Sequence, residues 1–185
     1  MAKTLTPIQE KKVQQLHDEL YHYLSDYRKT HPELTFLFRL KNDARFDKGY
    51  WFLGSNYIAI PAFRKSTGRG KSFSFIIDTD AAGNIISNFV EIFLEAPSFN
   101  KADMLFHQEL STFIVSKINT QNSSSAQKKY YFDHPQYYLK NMKMYLDEIV
   151  PFAIAILNKY NLKDEYLYSK DDFNNRVSEI ESRRR

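Results

Sequence analysis

The spacing of apolar residues changes twice along the chain, and this change limits the fold more than any other feature. Up to residue 30, apolar residues recur every three or four positions, which is the helical period. Between residues 34 and 96 they alternate with polar residues or form short runs bounded by glycine and proline, which is typical of strands. The helical spacing returns at residue 100. The predicted fold class is α+β, with an N-terminal helix, a mostly antiparallel sheet of four or five strands, and C-terminal helices.

Element boundaries follow from capping residues and turn residues. Thr6, Asn100 and Ser169 each stand three positions before a residue that completes a helix cap, so each is predicted to begin a helix. One domain is expected over 1–185, with a helix at 6–30, a sheet at 34–96 and a helical part at 100–182. The predicted strands are 34–40, 50–53, 56–60, 72–77 and 85–94. Residues 80–84 predict a hairpin turn, and the polar residues 119–129 predict a mobile loop.

Composition excludes several classes of protein. The chain has 185 residues, of which 43% are apolar, and this is ordinary for a globular protein. It contains no cysteine, so disulfides, thiolate zinc sites and cysteine nucleophiles are excluded. The first residues contain no apolar signal-peptide core, and no apolar run is long enough to span a bilayer. We therefore expect a cytoplasmic protein with no membrane partner.

Positive charge is concentrated in one part of the chain. The formal net charge is +4, but residues 34–71 alone carry +6 and residues 72–127 carry −4. A local basic excess favours a polyanionic partner, although a solvated sheet face would produce the same pattern.

Aromatic residues are interleaved with these cations. Cations neutralise phosphates and aromatic rings stack on bases, so this mixture is typical of nucleic-acid-binding proteins. Most aromatic residues of a sheet nevertheless belong to its core. The residues predicted to bind nucleic acid are Arg39, Lys41, Arg45, Lys48, Tyr50, Trp51, Arg64, Lys65, Arg69 and Lys71.

The consecutive residues Tyr50 and Trp51 require a choice, because neighbours on a strand point to opposite faces. The face of Trp51 and Leu53 is the more continuously apolar one. We therefore expect Trp51 in the core and Tyr50 nearer the binding surface.

Enzyme motifs are not supported. Gly70-Lys71-Ser72 lacks the earlier glycine of a phosphate-binding loop, because position 65 is a lysine. Asp78, Asp80, Glu91 and Glu95 could hold Mg²⁺ for a nuclease, but the lysine that usually follows the second acid is missing. The five histidines are scattered along the chain. We expect no enzyme activity, no metal and no cofactor.

The segment Lys48-Gly49-Tyr50-Trp51-Phe52-Leu53-Gly54, followed by 56–60, resembles the N-terminal region of McrB-like AAA+ ATPases of modification-dependent restriction systems. The resemblance covers about residues 34–95, and the family's Walker motifs are not present in this sequence. It implies a specificity module, detached or cut from a longer chain, that binds DNA and holds a modified or flipped base in an aromatic pocket. The partners it implies are an ATPase motor and a nuclease subunit.

The sequence thus predicts a non-catalytic DNA-binding specificity module of a restriction or phage-defence ATPase. Two alternatives remain open. One is a protein-interaction module that docks a partner subunit through an aromatic surface, and the other is a metal-dependent nuclease.

Overall fold

The first helix begins where the capping residues predict. In the computed structural model, Thr6 and Gln9 form a capping box, in which each side chain bonds the other residue's backbone N–H. Pro7 occupies the first turn, where a missing N–H costs nothing. Asn100 with Asp103 and Ser169 with Asp172 cap two later helices, so all three predicted helix starts are confirmed. The structure describes residues 6–36, 38, 43–54, 56–63, 71–80, 82–94, 100–118, 122–123, 127–167 and 169–184.

Helices and strands follow the predicted α, β, α order, except that two short strands lie among the C-terminal helices. The N-terminal part contains α1 (Pro7–Thr30), α2 (Asp43–Phe46), β1 (Tyr57–Phe63), β2 (Lys71–Thr79) and β3 (Ile85–Leu94). The C-terminal part contains α3 (Lys101–Lys117), β4 (Asn122–Ser123), β5 (Gln127–Tyr131), α4 (Tyr138–Met144), α5 (Val150–Lys159), α6 (Lys163–Tyr166) and α7 (Lys170–Arg183). A 3₁₀ turn at Pro135–Tyr137 precedes α4, and a π-helical turn at Tyr145–Ile149 joins α4 to α5. The α+β class is therefore confirmed.

Within the described residues, five strands form one antiparallel sheet in the order β1-β2-β3-β5-β4. The turn from β2 to β3 is the predicted one. Asp80 N–H donates to the carbonyl of Asn84 at 2.9 Å, and Gly83 takes a positive φ of 76°. The Asp80 carboxylate also accepts from the N–H groups of Ala82 and Asn84, which fixes the turn.

One face of the sheet packs against the helices. The side chains that share this face are Ile58, Ile60, Phe73, Phe75, Ile77, Val90, Ile92 and Tyr130, and all belong to the main core cluster. The Tyr145 ring of the π-helical turn lies 5.2 Å from Phe73 and 5.6 Å from Phe75. The same cluster includes Leu20 of α1 and Leu110 of α3, so helices before and after the sheet share its core.

Among the described residues two predicted strands do not form, and two strands, β4 and β5, were not predicted. Leu34, Phe36 and Phe38 are buried, as their alternation predicts, but the described part of 34–40 contains no strand. Residues 50–53 contribute only an isolated bridge, between Leu53 and Ala59. The expected loop at 119–129 instead overlaps β4 and β5, so the sheet extends into the part expected to be helical.

Pro151 lies inside a continuous helical run rather than at a break. Pro151 follows the π-helical turn at Tyr145–Ile149. Proline has no backbone N–H to donate to the preceding turn, and the π-helical winding lies directly before this missing donor. In the described ranges, no helix is both long and apolar enough to cross a membrane.

Candidate functional site

The predicted nucleic-acid-binding residues divide into a described and an undescribed group. Arg45, Lys48, Tyr50 and Trp51 are described with their side chains. Arg39, Lys41, Arg64, Lys65 and Arg69, together with the Lys71 side chain, lie outside the described residues. The predictions for this second group therefore remain predictions.

Residues 48–54 form a tightly bent segment against the outer edge of β1. Gly49 and Gly54 have φ angles of 80° and 77°, which other residues rarely adopt. Between them Leu53 accepts a hydrogen bond from Ala59 N–H at 3.0 Å, so the segment closes part of an exposed sheet edge. A side chain at position 54 would meet the carbonyl oxygen of Tyr57, only 1.8 Å from its Cβ.

Both aromatic side chains of this segment are buried, and the expectation for Tyr50 is wrong. Trp51 is 4% exposed, as predicted for a core residue, but Tyr50 is 0% exposed. The strand rule of alternating faces does not apply to them, because they lie in a bend with positive-φ glycines rather than in a strand. Neither ring presents a surface on which a base could stack.

The polar atoms of these aromatic residues bond to α1. Trp51 Nε1–H donates to Asp18 at 2.8 Å, and the Tyr50 hydroxyl donates to Glu10 at 3.3 Å. Burial and the Glu10 carboxylate raise the pKa of Tyr50 to about 12. The aromatic motif therefore attaches α1 to the edge of the sheet.

The two described cations of the basic segment also have internal contacts. The Arg45 guanidinium lies 5.1 Å from the centre of the Tyr50 ring. Lys48 Nζ lies 3.4 Å from the Glu10 carboxylate and remains half-exposed. These contacts give both cations a structural role.

The end of β2 that begins at Lys71 adjoins the sequence's cluster of cations. β1 ends at Phe63, and the residues that connect it to β2 contain three of the four clustered cations, with Lys71 as the fourth. Asp78 lies near the other end of β2, about 24 Å away along a strand. Glu91 pairs with Ser74, only three positions from Lys71, so the carboxylates of the sheet are not confined to one end.

The second face of the sheet carries a separate cluster of aromatic and charged residues. Ala59, Ile76, Phe89 and Tyr131 pair in register across four strands. Ile76 and Phe89 are fully buried, yet they lie outside the core cluster that contacts the helices. The Phe89 ring lies 4.6 Å from that of Tyr131 and 5.9 Å from that of Tyr57.

Glu91 lies in the next row of this face, opposite Lys129. The Tyr57 side chain reaches across β2, and its hydroxyl donates to Glu91 Oε2 at 2.6 Å. Burial, followed by this hydrogen bond, raises the pKa of Tyr57 above its usual range. Lys129 Nζ lies 3.9 Å from the same oxygen, 5.0 Å from the Phe89 ring and 5.6 Å from the Tyr57 ring.

Sequence reasoning missed this cluster. Its members lie between positions 57 and 131 on four strands, which only the register of β1, β2, β3 and β5 brings together. The one available signal was Glu91, a charged residue within the apolar run of β3. A buried carboxylate requires partners, so its position indicated a polar contact on a neighbouring strand.

The Tyr57 hydrogen bond should contribute measurably to stability. Tyr57→Phe leaves the ring in place but removes the closest donor to a nearly buried carboxylate, so we expect a loss of about 1–3 kcal/mol. Urea unfolding at neutral pH measures the loss, and Tyr137→Phe, at a tyrosine 56% exposed, is the control. Equal stability of the two variants would contradict the contact.

The candidate metal ligands do not converge. Asp80 is engaged in its turn, while Asp78 and Glu91 lie in rows separated by that of Ile76 and Phe89. Burial raises the pKa of Asp78. Among the residues with described positions, no three His, Asp or Glu side chains are placed to hold a metal ion. Glu95 lies outside them.

Comparison with protein-family models, with curated proteins and with solved structures finds no match to this chain.

Proposed function

We propose that the protein is a non-catalytic DNA-binding module that serves an ATPase of a restriction or phage-defence system. The observation that carries this proposal is the cluster of cations where β1 ends and β2 begins. Four cations, Arg64, Lys65, Arg69 and Lys71, stand in the eight residues that connect and begin adjacent strands. A cluster of this kind attracts the phosphate backbone without reading sequence.

The proposed interface differs from the one expected from the aromatic motif. Tyr50 and Trp51 are buried against α1, and Arg45 and Lys48 contact Tyr50 and Glu10. We therefore assign the phosphate contacts to the six other cations of 34–71, and we leave these two rings out of any base pocket. The six are Arg39, Lys41, Arg64, Lys65, Arg69 and Lys71.

Salt titration of DNA affinity tests the proposal. If six phosphates are contacted, the affinity for duplex DNA should fall about 10³-fold between 50 and 200 mM salt, because each contact releases a counterion. Fluorescence anisotropy with a labelled duplex and a labelled single strand measures this dependence. Folded protein that binds neither DNA at the lower salt concentration would refute the proposal.

One observation favours the alternative of a partner-docking module. A groove of about 530 Å³ between α3 and α5 is lined by Phe113 and Phe152, whose rings stack at 3.8 Å. Binding of a partner protein through such an apolar groove would depend little on salt, whereas binding of DNA would weaken steeply. The salt dependence of binding therefore discriminates between the two functions.

A further inference from the structure

The Lys129 ammonium lies between two aromatic rings and a carboxylate on the second face of the sheet. It is 5.0 Å from the Phe89 ring, 5.6 Å from the Tyr57 ring and 3.9 Å from Glu91. Aromatic faces attract cations within about 6 Å, and sites that bind quaternary ammonium groups combine such rings. Lys129 therefore has the surroundings that an ammonium ligand would require.

Glu91 is held in place independently of Lys129. Its Oε2 accepts the Tyr57 hydroxyl at 2.6 Å, which is much closer than the lysine nitrogen at 3.9 Å. Removing the lysine ammonium would therefore leave the carboxylate anchored by Tyr57. The Phe89 ring also contacts the Tyr131 ring, with their centres 4.6 Å apart and their planes tilted by 39°.

Two carboxylates on this face, Asp78 and Glu91, lie near the Lys129 ammonium. Tyr57, Tyr131 and Asp78 are partly exposed, whereas Phe89 is 1% exposed, so solvent reaches the rim of the cluster but not this ring. A positive group is therefore favoured electrostatically at the position where the lysine ammonium lies.

We propose that Tyr57, Phe89, Tyr131 and Glu91 form a binding site for an organic ammonium group, and that the Lys129 side chain occupies this site in the isolated protein. The ligand is a lysine-type amine of a protein segment or a small quaternary amine, since both present the same chemistry. This site is distinct from the proposed DNA contact. It binds a cation on the second face of the sheet, whereas the cations of residues 64–71 bind the anionic phosphates of DNA.

Lys129→Met provides the test, because it removes the ammonium and retains an apolar stem. We expect tetramethylammonium to bind this variant at least about tenfold more tightly than it binds the native protein, in keeping with the magnitude of a partly desolvated cation–π contact. NMR titration of the tyrosine ring protons measures the affinity. Lys140→Met, at an exposed lysine of α4, is the matched control and should behave as the native protein does.

Two further measurements distinguish recognition of the ligand's charge from recognition of its shape. Adding Glu91→Gln to Lys129→Met should weaken tetramethylammonium binding about tenfold, and the neutral isostere 3,3-dimethylbutanol should bind at least about tenfold more weakly than the cation. Equal binding of cation and isostere, or no gain from Lys129→Met, would overturn the proposal. Titration with N-acetyl-lysine methylamide identifies the source: tighter binding than tetramethylammonium assigns the site to a protein segment, and weaker binding to a quaternary amine.

Folding provides a second check. Lys129→Gln is the substitute if Lys129→Met does not fold, since its side chain is also uncharged. If both variants are unfolded, the lysine is a structural ion and the proposal is wrong.

Discussion

Gly54→Ala should destabilise the protein by about 3–5 kcal/mol, which combines the strain of a positive φ with the displacement of strand backbone. The added Cβ would lie 1.8 Å from the Tyr57 carbonyl oxygen, and a backbone atom of β1 cannot rotate away as a side chain would. The strand would have to shift, and the bridge between Leu53 and Ala59 would be lost. Urea or thermal unfolding measures the loss.

Gly49→Ala is the matched control for this experiment. Gly49 has nearly the same φ, 80°, but its added Cβ would lie 3.6 Å from a Trp51 ring atom, an ordinary contact. Only the conformational cost remains, so we expect a loss of about 1 kcal/mol. If the two alanine variants were equally stable, the close approach at Gly54 would not be a feature of the fold.

Trp51→Ala should reduce the free energy of unfolding by about 3–5 kcal/mol, the usual cost of emptying a large buried aromatic site. The indole ring packs edge-on against Phe46 at 5.4 Å, and its N–H bonds to Asp18 of α1. Removing it breaks this contact between α1 and the bent segment and leaves a cavity. Chemical denaturation at neutral pH provides the measurement.

The same variant also shows whether Trp51 only stabilises the fold or also contacts the bases of DNA. At a temperature where Trp51→Ala is folded, its DNA affinity should equal that of the native protein, because the ring is 4% exposed. Trp51→Phe, which retains a ring in the core, is the control for the stability effect. A stable Trp51→Ala that no longer bound DNA would show that the tryptophan contacts bases.

Features set by neighbouring residues in the chain could be predicted from the sequence. The capping pairs that begin at Thr6, Asn100 and Ser169 are local, and all three helix starts are where expected. The turn before β3 is local too, since Asp80 and Gly83 suffice to form it. The three long strands have the predicted alternation, with one apolar face toward the helices.

The errors arose where distant residues decide the structure. Leu34, Phe36 and Phe38 alternate as a strand would, but the Phe36 and Phe38 rings lie 5.1 and 5.5 Å from Phe173 of α7, near the other end of the chain. β5 was missed because Lys128 and Lys129 make its sequence polar. Lys129 is accommodated by Glu91, a contact that depends on the register.

The candidate site shows the same division. The basic segment and its aromatic residues were recognisable in the sequence, but sequence could not show that Tyr50 is buried and bonded to Glu10. The cluster around Lys129 depends entirely on cross-strand register. The alternation of apolar residues determines which face of the sheet a residue lies on, but not which residue of the neighbouring strand it pairs with.

The central claim is tested most directly by the salt dependence of DNA affinity in a variant of residues 64–71, called here the 64–71 variant. Replacing Arg64, Lys65, Arg69 and Lys71 by alanine removes four of six proposed phosphate contacts, so the slope of log K against log salt should change from about −5.4 to about −1.8. Stability should change by less than about 0.5 kcal/mol. The control replaces four exposed lysines elsewhere, Lys11, Lys140, Lys163 and Lys170, with the same change in net charge. We predict a flattened slope of log K against log salt for the 64–71 variant and the native slope for the control. Equal slopes for the two variants would contradict the proposed function.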